Sequence, residues 1–297
     1  MRKLFLMACA VAMFTACEKD ILSEDEVVKN NEGLVENTAN TKKFTFTLKG
    51  DFSDDWKPVT RGYLQADGKD LTDVWVLDYM DGALVQQLHQ SDNTAEDFGQ
   101  PVLNLAYGSH HVYFIASRGQ SPALDTENHL IKFAKVLDTF YKDYTVDVVS
   151  TSNGNRAVTL DRIVTRLRLT FSDVVPNDAA TVNFAPHTWY YGYDYIAGMP
   201  DDAKTDQTVT LNIPDSEKDK AGLQANLFGF STATQWSTDI AINSKKSDDT
   251  VIGSATIAGA PFKANRISEY AGPLFGASGS LTLSLNTSWD AAYNGVW

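Results

Sequence analysis

Two cysteines are all that this 297-residue chain carries, at positions 9 and 17. Cys9 sits in an apolar leader, so the processed chain keeps one thiol and forms no internal disulfide. Basic charge is short as well. Against 38 Asp and Glu stand 25 Lys and Arg, a net −13 that becomes −15 when Arg2 and Lys3 are removed. Nucleic acid and anionic membrane surfaces both require clustered cations, so neither is expected as a partner. Apart from residues 4–14 there is no long apolar run, and that one is too short to cross a bilayer core of about 30 Å as a helix. Catalytic motifs are missing too: no Gly-x-Ser-x-Gly, no phosphate-binding glycine loop and no His-Glu-x-x-His. The five histidines are His89, His110, His111, His129 and His187. Adjacent His110 and His111 point to opposite faces of a strand and cannot share a metal. Asp54-Asp55, Asp201-Asp202 and Asp248-Asp249 have the form of paired glycosidase carboxylates. Each stands in a turn context, however, where aspartate bonds its own backbone. The expectation is no catalytic residue, no cofactor, no metal and no enzyme.

What is present begins at the N-terminus. Met1-Arg2-Lys3, an apolar stretch and Phe14-Thr15-Ala16-Cys17 have the layout of a secretory signal peptide over residues 1–16. A cysteine directly after small residues resembles a bacterial lipobox, which makes Cys17 the lipidated first residue of the mature protein. Phe14 departs from the Leu, Val or Ile usual three before that cysteine, and ordinary cleavage near Ala16 is the alternative. Residues 18–41 hold seven acids, two lysines, four asparagines and no aromatic. Such a segment cannot bury enough apolar surface to order itself. Residues 17–41 are therefore expected to be a lipidated cysteine and an acidic disordered tether, with an r.m.s. reach of about 25–30 Å. Lys19-Asp20 behind Cys17 resembles the export signal of Bacteroidota surface lipoproteins, consistent with display at the outer membrane.

From residue 42 the apolar pattern has a period of two. Phe44, Phe46 and Leu48 alternate with Thr45, Thr47 and Lys49, which reads as a half-buried strand. Residues 74–79 and 83–88 flank Asp81-Gly82, a hairpin signal. A further run covers 111–116. Leu130, Phe133, Ala134, Leu137, Phe140 and Tyr141 recur at three and four spacing behind Asp125 and Thr126, which predicts one short helix. Strand-like runs follow at 157–160, 163–171, 181–184, 188–196, 208–213, 224–230, 238–242, 250–257 and 280–286. Turn clusters separate them, among them Pro200-Asp201-Asp202. Many short strands with such punctuation predict β-sandwiches. The length suits two, an N-terminal one over 42–160 and a C-terminal one over 161–297, divided near the loop Ser150-Thr151-Ser152-Asn153-Gly154-Asn155.

One stretch is rich in aromatics: His187-Thr188-Trp189-Tyr190-Tyr191-Gly192-Tyr193-Asp194-Tyr195. In a strand, Trp189, Tyr191, Tyr193 and Tyr195 share a face. Buried, they are core with hydroxyls at the rim. Exposed, Trp189, Tyr191 and Tyr193 would stack on sugar rings, the mark of a surface glycan-binding lipoprotein beside a nutrient importer.

The order of these features resembles a known family. A lipobox and acidic tether lead to the alternating strand 43–48, then Thr60-Arg61, the hairpin around Asp81-Gly82, and Leu103-Asn104-Leu105-Ala106-Tyr107-Gly108 running into residues 112–116. Arg162-Ile163-Val164-Thr165-Arg166-Leu167 opens the second half. Asn265-Arg266-Ile267-Ser268-Glu269-Tyr270-Ala271-Gly272-Pro273-Leu274-Phe275 precedes a last strand closing on Trp289. Together they resemble the fimbrillin superfamily of Bacteroidota, the subunits of type V pili, and most of all its lipoprotein anchor and minor-subunit branch. That resemblance implies two tandem transthyretin-like β-sandwiches. It also implies assembly by strand donation: other fimbrial subunits as partners, Phe44, Phe46 and Leu48 on the displaceable strand, and Arg61 where a trypsin-like protease cuts. The outer membrane would be reached through lipid, and cell adhesion would be the task. Eight residues after Trp289 leave little room for a long donor tail, which favours an anchor or terminal subunit.

Overall fold

Strands form where aromatic and aliphatic residues alternate with Thr, Lys and Asn, and turns form where Asp, Asn or Gly takes a left-handed φ. The computed structural model describes residues 40–50, 71–118, 123–133 and 135–276, and the backbone alone of 282–286. The leader, Cys17, the tether up to residue 39, Asp54-Asp55, Arg61 and Trp289 lie outside the described residues.

The first half builds one seven-stranded sheet, ordered β3-β2-β5-β8-β9-β1-β4. Its strands are β1 (Thr41–Gly50), β2 (Leu71–Met80), β3 (Ala83–Gln90), β4 (Val102–Ala106), β5 (Gly108–Arg118), β8 (Thr139–Val148) and β9 (Asn155–Arg162). Asp81 at φ +52° and Gly82 at φ +79° turn β2 into β3, as a type I′ hairpin requires. β8 and β9 pair through Phe140 with Arg162 and Tyr141 with Asp161, then part company. The sheet thus folds over itself, and β9-β1-β4 closes on β2-β5-β8 around one core. Phe44, Phe46, Val76, Leu105, Phe114, Val148 and Leu160 fill it.

The second half is a sandwich of two four-stranded sheets, β15-β10-β18-β19 and β14-β11-β16-β17. These are β10 (Val164–Val174), β11 (Ala179–Pro186), β14 (Val209–Asn212), β15 (Ala221–Phe230), β16 (Trp236–Lys246), β17 (Val251–Phe262), β18 (Ile267–Gly272) and β19 (Thr282–Asn286). Leu167, Leu169, Phe171, Val182, Phe184, Ile240, Ile242 and Tyr270 form its core.

A third sheet, β13-β12-β7-β6, draws strands from both halves. β6 (Ala123–Asp125) and β7 (Leu130–Lys132) come from the first, β12 (Trp189–Asp194) and β13 (Met199–Lys204) from the second. Gly192, Tyr193 and Asp194 pair with Lys132, Ile131 and Leu130. A separate core lies there, in which Leu77, Tyr79, Tyr113 and Tyr141 of the outer face of β2-β5-β8 meet Tyr193, Tyr195, Phe228 and Phe230. Beside it, buried Asp138 accepts bonds from Arg162 Nε and Nη2 at 2.7 and 3.1 Å, while Arg162 Nη1 donates to Asn265 Oδ1 at 2.9 Å.

The all-β expectation holds, but the short helix expected over 130–141 does not exist. Residues 130–132 are β7, residues 139–148 are β8, and a 3-10 turn stands instead at Asp215–Glu217. The capping chemistry of Asp125 is real, but it serves a hairpin: its Oδ1 accepts the Asn128 amide at 3.0 Å, and His129 takes φ +58°.

Candidate functional site: the seat of the first strand

β1 lies inside its sheet, with a neighbour along each edge. On one side residues Thr45 to Gly50 run parallel to Asn155 to Leu160 of β9. On the other, residues Thr41 to Thr45 run antiparallel to Ala106 to Val102 of β4. Beyond Val102 the pairing continues, since the amides of Phe46 and Leu48 donate to the carbonyls of Pro101 and Gly99, each at 3.0 Å. Main-chain bonds therefore hold the strand over its length, and they would hold any strand of similar shape.

Side chains fill the seat on the core face. Phe44 and Phe46 are fully buried and Leu48 partly so. Phe46 meets Phe114 edge-on with centroids 5.0 Å apart and Tyr144 at 6.0 Å, and Phe44 stacks 6.0 Å from Phe46. Arg156 closes the open end, its guanidinium 5.1 Å from the Phe44 ring centroid. That guanidinium is held by the carbonyls of Asn153 and Asn155, the second at 3.0 Å. The turn before β9 comes close to the incoming backbone. Gly154 accepts the Thr45 amide at 2.7 Å, and a Cβ at Gly154 would lie 2.2 Å from the Lys43 carbonyl oxygen. Lys42 Nζ donates to the Ser150 carbonyl at 2.5 Å. Lifting β1 out would leave an apolar trough between two unpaired edges, the hazard that folded proteins cover. Burying two Phe and part of a Leu contributes about 4–8 kcal/mol to keeping it covered.

The aromatic row is interior, which corrects the glycan-platform alternative. Trp189 is fully buried, its indole N–H donating to the Phe228 carbonyl at 3.0 Å. It fits because residue 229 is glycine: a Cβ there would lie 2.5 Å from the indole ring. Tyr193 is buried between Tyr141 and Phe230, at 5.3 and 5.6 Å, and Tyr191 is half-buried against both neighbouring cores. Tyr195 shares a 2.8 Å hydroxyl–hydroxyl bond with Tyr79, and its carbonyl accepts the Tyr141 hydroxyl. Burial pushes Tyr113 from 10.0 up to about 12 and raises Tyr141, Tyr193 and Tyr195 as well. Trp189 and Tyr193 therefore present no face to a sugar ring.

The other singled-out groups do structural work. His110 is buried with Nδ1 2.8 Å from Asp78 Oδ1 and Nε2 2.9 Å from the Ala106 carbonyl, while His111 is half exposed on the other face. Burial pulls the pKa of His110 down, but the bond to Asp78 and its charge outweigh that and raise it. Asp202 pairs with Lys204 on β13, and Asp248 Oδ1 accepts the Thr250 amide in the β16–β17 turn. Among the described residues no group of three or more His, Cys, Asp or Glu could hold a metal. Sequence reasoning marked Phe44, Phe46 and Leu48 but missed Arg156 and Gly154. Only the Asn-Gly loop ahead of a strand could have pointed to the glycine.

No family model and no curated protein matches the chain. Among solved structures the fold is similar to that of a candidate adhesin from Bacteroides ovatus, with a TM-score of 0.51 at 12% identity, covering 83% of this chain and 94% of that one. A second candidate adhesin from Bacteroides ovatus gives a TM-score of 0.49 at 14% identity over 73% of this chain and 82% of that one. The tip fimbrial protein Mfa3 of Porphyromonas gingivalis, truncated at its C-terminus, gives 0.44 at 11% identity over 82% and 99%. At these identities the likeness is one of fold, and the first comparison carries it. That neighbour is of the kind that the resemblance to the fimbrillin superfamily anticipated.

Proposed function

We propose that this chain is a non-catalytic, surface-displayed fimbrial or adhesive subunit whose first sandwich is completed by an exchangeable strand, β1. One observation carries the reading. The residues that the resemblance makes displaceable form an internal strand, paired on both edges and plugging the core with Phe44 and Phe46. A strand held mainly by main-chain bonds and alternate pockets is replaceable by a strand from another chain, which is how β-strand addition works. In this reading Cys17 carries the lipid that holds the chain at the outer membrane. The acidic segment lifts the body from the surface, and Arg61 is the processing point whose cut frees β1 from β2. The two sandwiches would correspond to residues 42–160 and 161–297. Uncut, the chain stays an anchor with its own plug in place; cut, it becomes an acceptor for a neighbouring subunit.

The test uses the full-length purified protein with a trypsin-like protease. Cleavage at Arg61 followed by ladders of oligomers on gels is the expected result for a stalk-competent subunit. Resistance at Arg61 together with binding of an isolated partner subunit is the result expected for an anchor. Cleavage with neither oligomers nor partner binding would contradict strand exchange. Metabolic labelling with palmitate, lost on Cys17→Ser, checks the anchor.

A further inference from the structure

β4 stands at the end of its sheet, five residues long, with β1 beside it in the strand order. A single residue, Tyr107, then carries the chain across to β5 in the opposite layer. Gly108 makes that corner at φ +142° against Met80, where a Cβ would lie 2.5 Å from the methionine Cε. Here His110 spans the two layers. It is fully buried and sets each ring nitrogen against an acceptor. Nδ1 lies 2.8 Å from Asp78 Oδ1 on β2, and Nε2 lies 2.9 Å from the Ala106 carbonyl that ends β4.

A neutral imidazole has one N–H and can donate to one of these acceptors, whereas the imidazolium donates to both. We infer that His110 is a charged clasp between the two layers of the first sandwich. It is closed while the ring carries both protons and opens when one leaves, so the hold on β4, and on the start of β1 beside it, depends on pH. The inference goes beyond strand exchange and stands whether or not β1 is ever replaced.

The groups around the ring favour the closed form. Asp78 is itself buried, so removing either charge would leave the other without its partner inside the protein. Asp81, in the turn after β2, adds a second negative charge nearby. β4 brings no charged side chain, and β8 sets Val146 opposite His110. On β1 the cation at this end, Lys42, is engaged with the Ser150 carbonyl. His111 and its partner Asp143 lie on the other face of β5. Burial alone would pull the ring's pKa down, but the bond to Asp78 and its charge overcome this and raise it above 6.5. The clasp therefore contributes in full below about pH 6.5 and is lost as pH climbs through the raised value. The departing proton is the one aimed at Ala106, because a lone pair turned towards Asp78 would face a negative charge. The carbonyl so released ends the strand whose residues Ala106 to Val102 pair with Thr41 to Thr45.

Nitrogen-15 NMR of the full-length protein, labelled at histidine, reads both ring nitrogens directly. At about pH 6 both nitrogens of His110 are expected to carry protons, and the ring should titrate above its ordinary 6.5. Hydrogen exchange is measured alongside and expressed as opening constants, so that the pH dependence of the chemical step cancels. Residues 103–106 and 41–45 should open about tenfold more often once the ring has titrated, the scale of one lost charge-assisted bond, while residues 267–272 of β18 do not change. His110→Gln should hold those opening constants near their high-pH value at every pH, and His111→Gln should keep the step. Readings stay below pH 10, where the buried tyrosines keep their protons. A His110 ring that carries one proton at about pH 6, or that titrates below 6.5, overturns the clasp. Titration with no change at residues 103–106 and 41–45 overturns it as well. The wild-type titration decides the matter even if His110→Gln does not fold, and no outcome bears on exchange of β1.

Discussion

The two halves of the molecule contain the same local arrangement, and the described residues around it make different contacts. In each, an internal strand runs parallel to one neighbour and antiparallel to the other: β1 beside β9 and β4, β18 beside β10 and β19. Side chains and tight loops clamp β18 at both ends. Ahead of it, the Arg266 carbonyl accepts the Arg166 amide at 2.9 Å and the Thr165 hydroxyl at 3.1 Å, and the Asn265 amide donates to the Val164 carbonyl. Behind it, the Asp173 carboxylate accepts the amides of Leu274, Phe275 and Gly276. Gly253 makes room for that strap, since a Cβ there would lie 1.7 Å from the Leu274 carbonyl oxygen. What the described residues give β1 is its main-chain ladder, two buried rings, the Arg156 lid and the bond from Lys42 to the Ser150 carbonyl. The main chain on both flanks of β18 is thus tied to β10, through the Thr165 and Asp173 side chains among others. In the reading proposed above, β1, held by ladder and plug, is the strand that exchanges.

Breaking the plug should have the largest effect. Phe46→Ala removes a fully buried ring and is expected to cost about 3–5 kcal/mol, most of it spent on loosening β1. Limited proteolysis should then attack residues 41–50 while the β18 region stays protected. An equal loss of protection in both would mean that β1 is not a separate unit. Asp173→Ala is the converse variant. It leaves three amides without their carboxylate and should cost about 2–3 kcal/mol, read as faster hydrogen exchange at residues 274–276 with β1 unchanged.

The glycines sharpen the contrast further. Gly154→Ala forces a methyl against the Lys43 carbonyl, and about 1–3 kcal/mol of overpacking should appear as faster exchange of the β1 amides. Gly253→Ala should act in the same way on the Leu274 strap and leave β1 alone.

Alkaline pH should separate the two seats least, because both halves hold buried phenols. Burial raises Tyr113 in the shared core and Tyr270 in the second sandwich, each from 10.0 to about 12. The folded state therefore holds these protons more tightly than the unfolded chain does. Their contribution is complete below pH 10 and is lost as pH climbs from 10 through about 12. Circular dichroism along an alkaline titration should show cooperative unfolding in that window, and a native signal unchanged past pH 12 would contradict it.

Much of this was legible in the residues. Phe44-Thr45-Phe46-Thr47-Leu48 alternates because one face of β1 meets a core and the other meets solvent. Asp81-Gly82 fixed a hairpin through backbone chemistry that nothing distant overrides. Residues 130–141 misled for a physical reason. β7 and the start of β8 are buried on both faces, so apolar residues fall at consecutive positions, and their spacing imitates a helix. Met199–Lys204 was read through Pro200-Asp201-Asp202 as a turn, yet it is an edge strand, where a proline costs no ladder bond. The aromatic row could not be placed from its spacing. Whether Trp189 faces water depends on Gly229, forty residues away in the sequence. Arg156 stayed hidden because a cation over a ring arises from a parallel pairing between strands more than a hundred residues apart.

Native-state hydrogen exchange of the intact chain tests the difference between the two internal strands most directly. Amides of Phe44, Phe46 and Leu48 should exchange through a partial opening at a free energy well below that of Leu169, Tyr270 and their neighbours, which open only with global unfolding. A single common opening free energy for β1 and β18 would contradict the account.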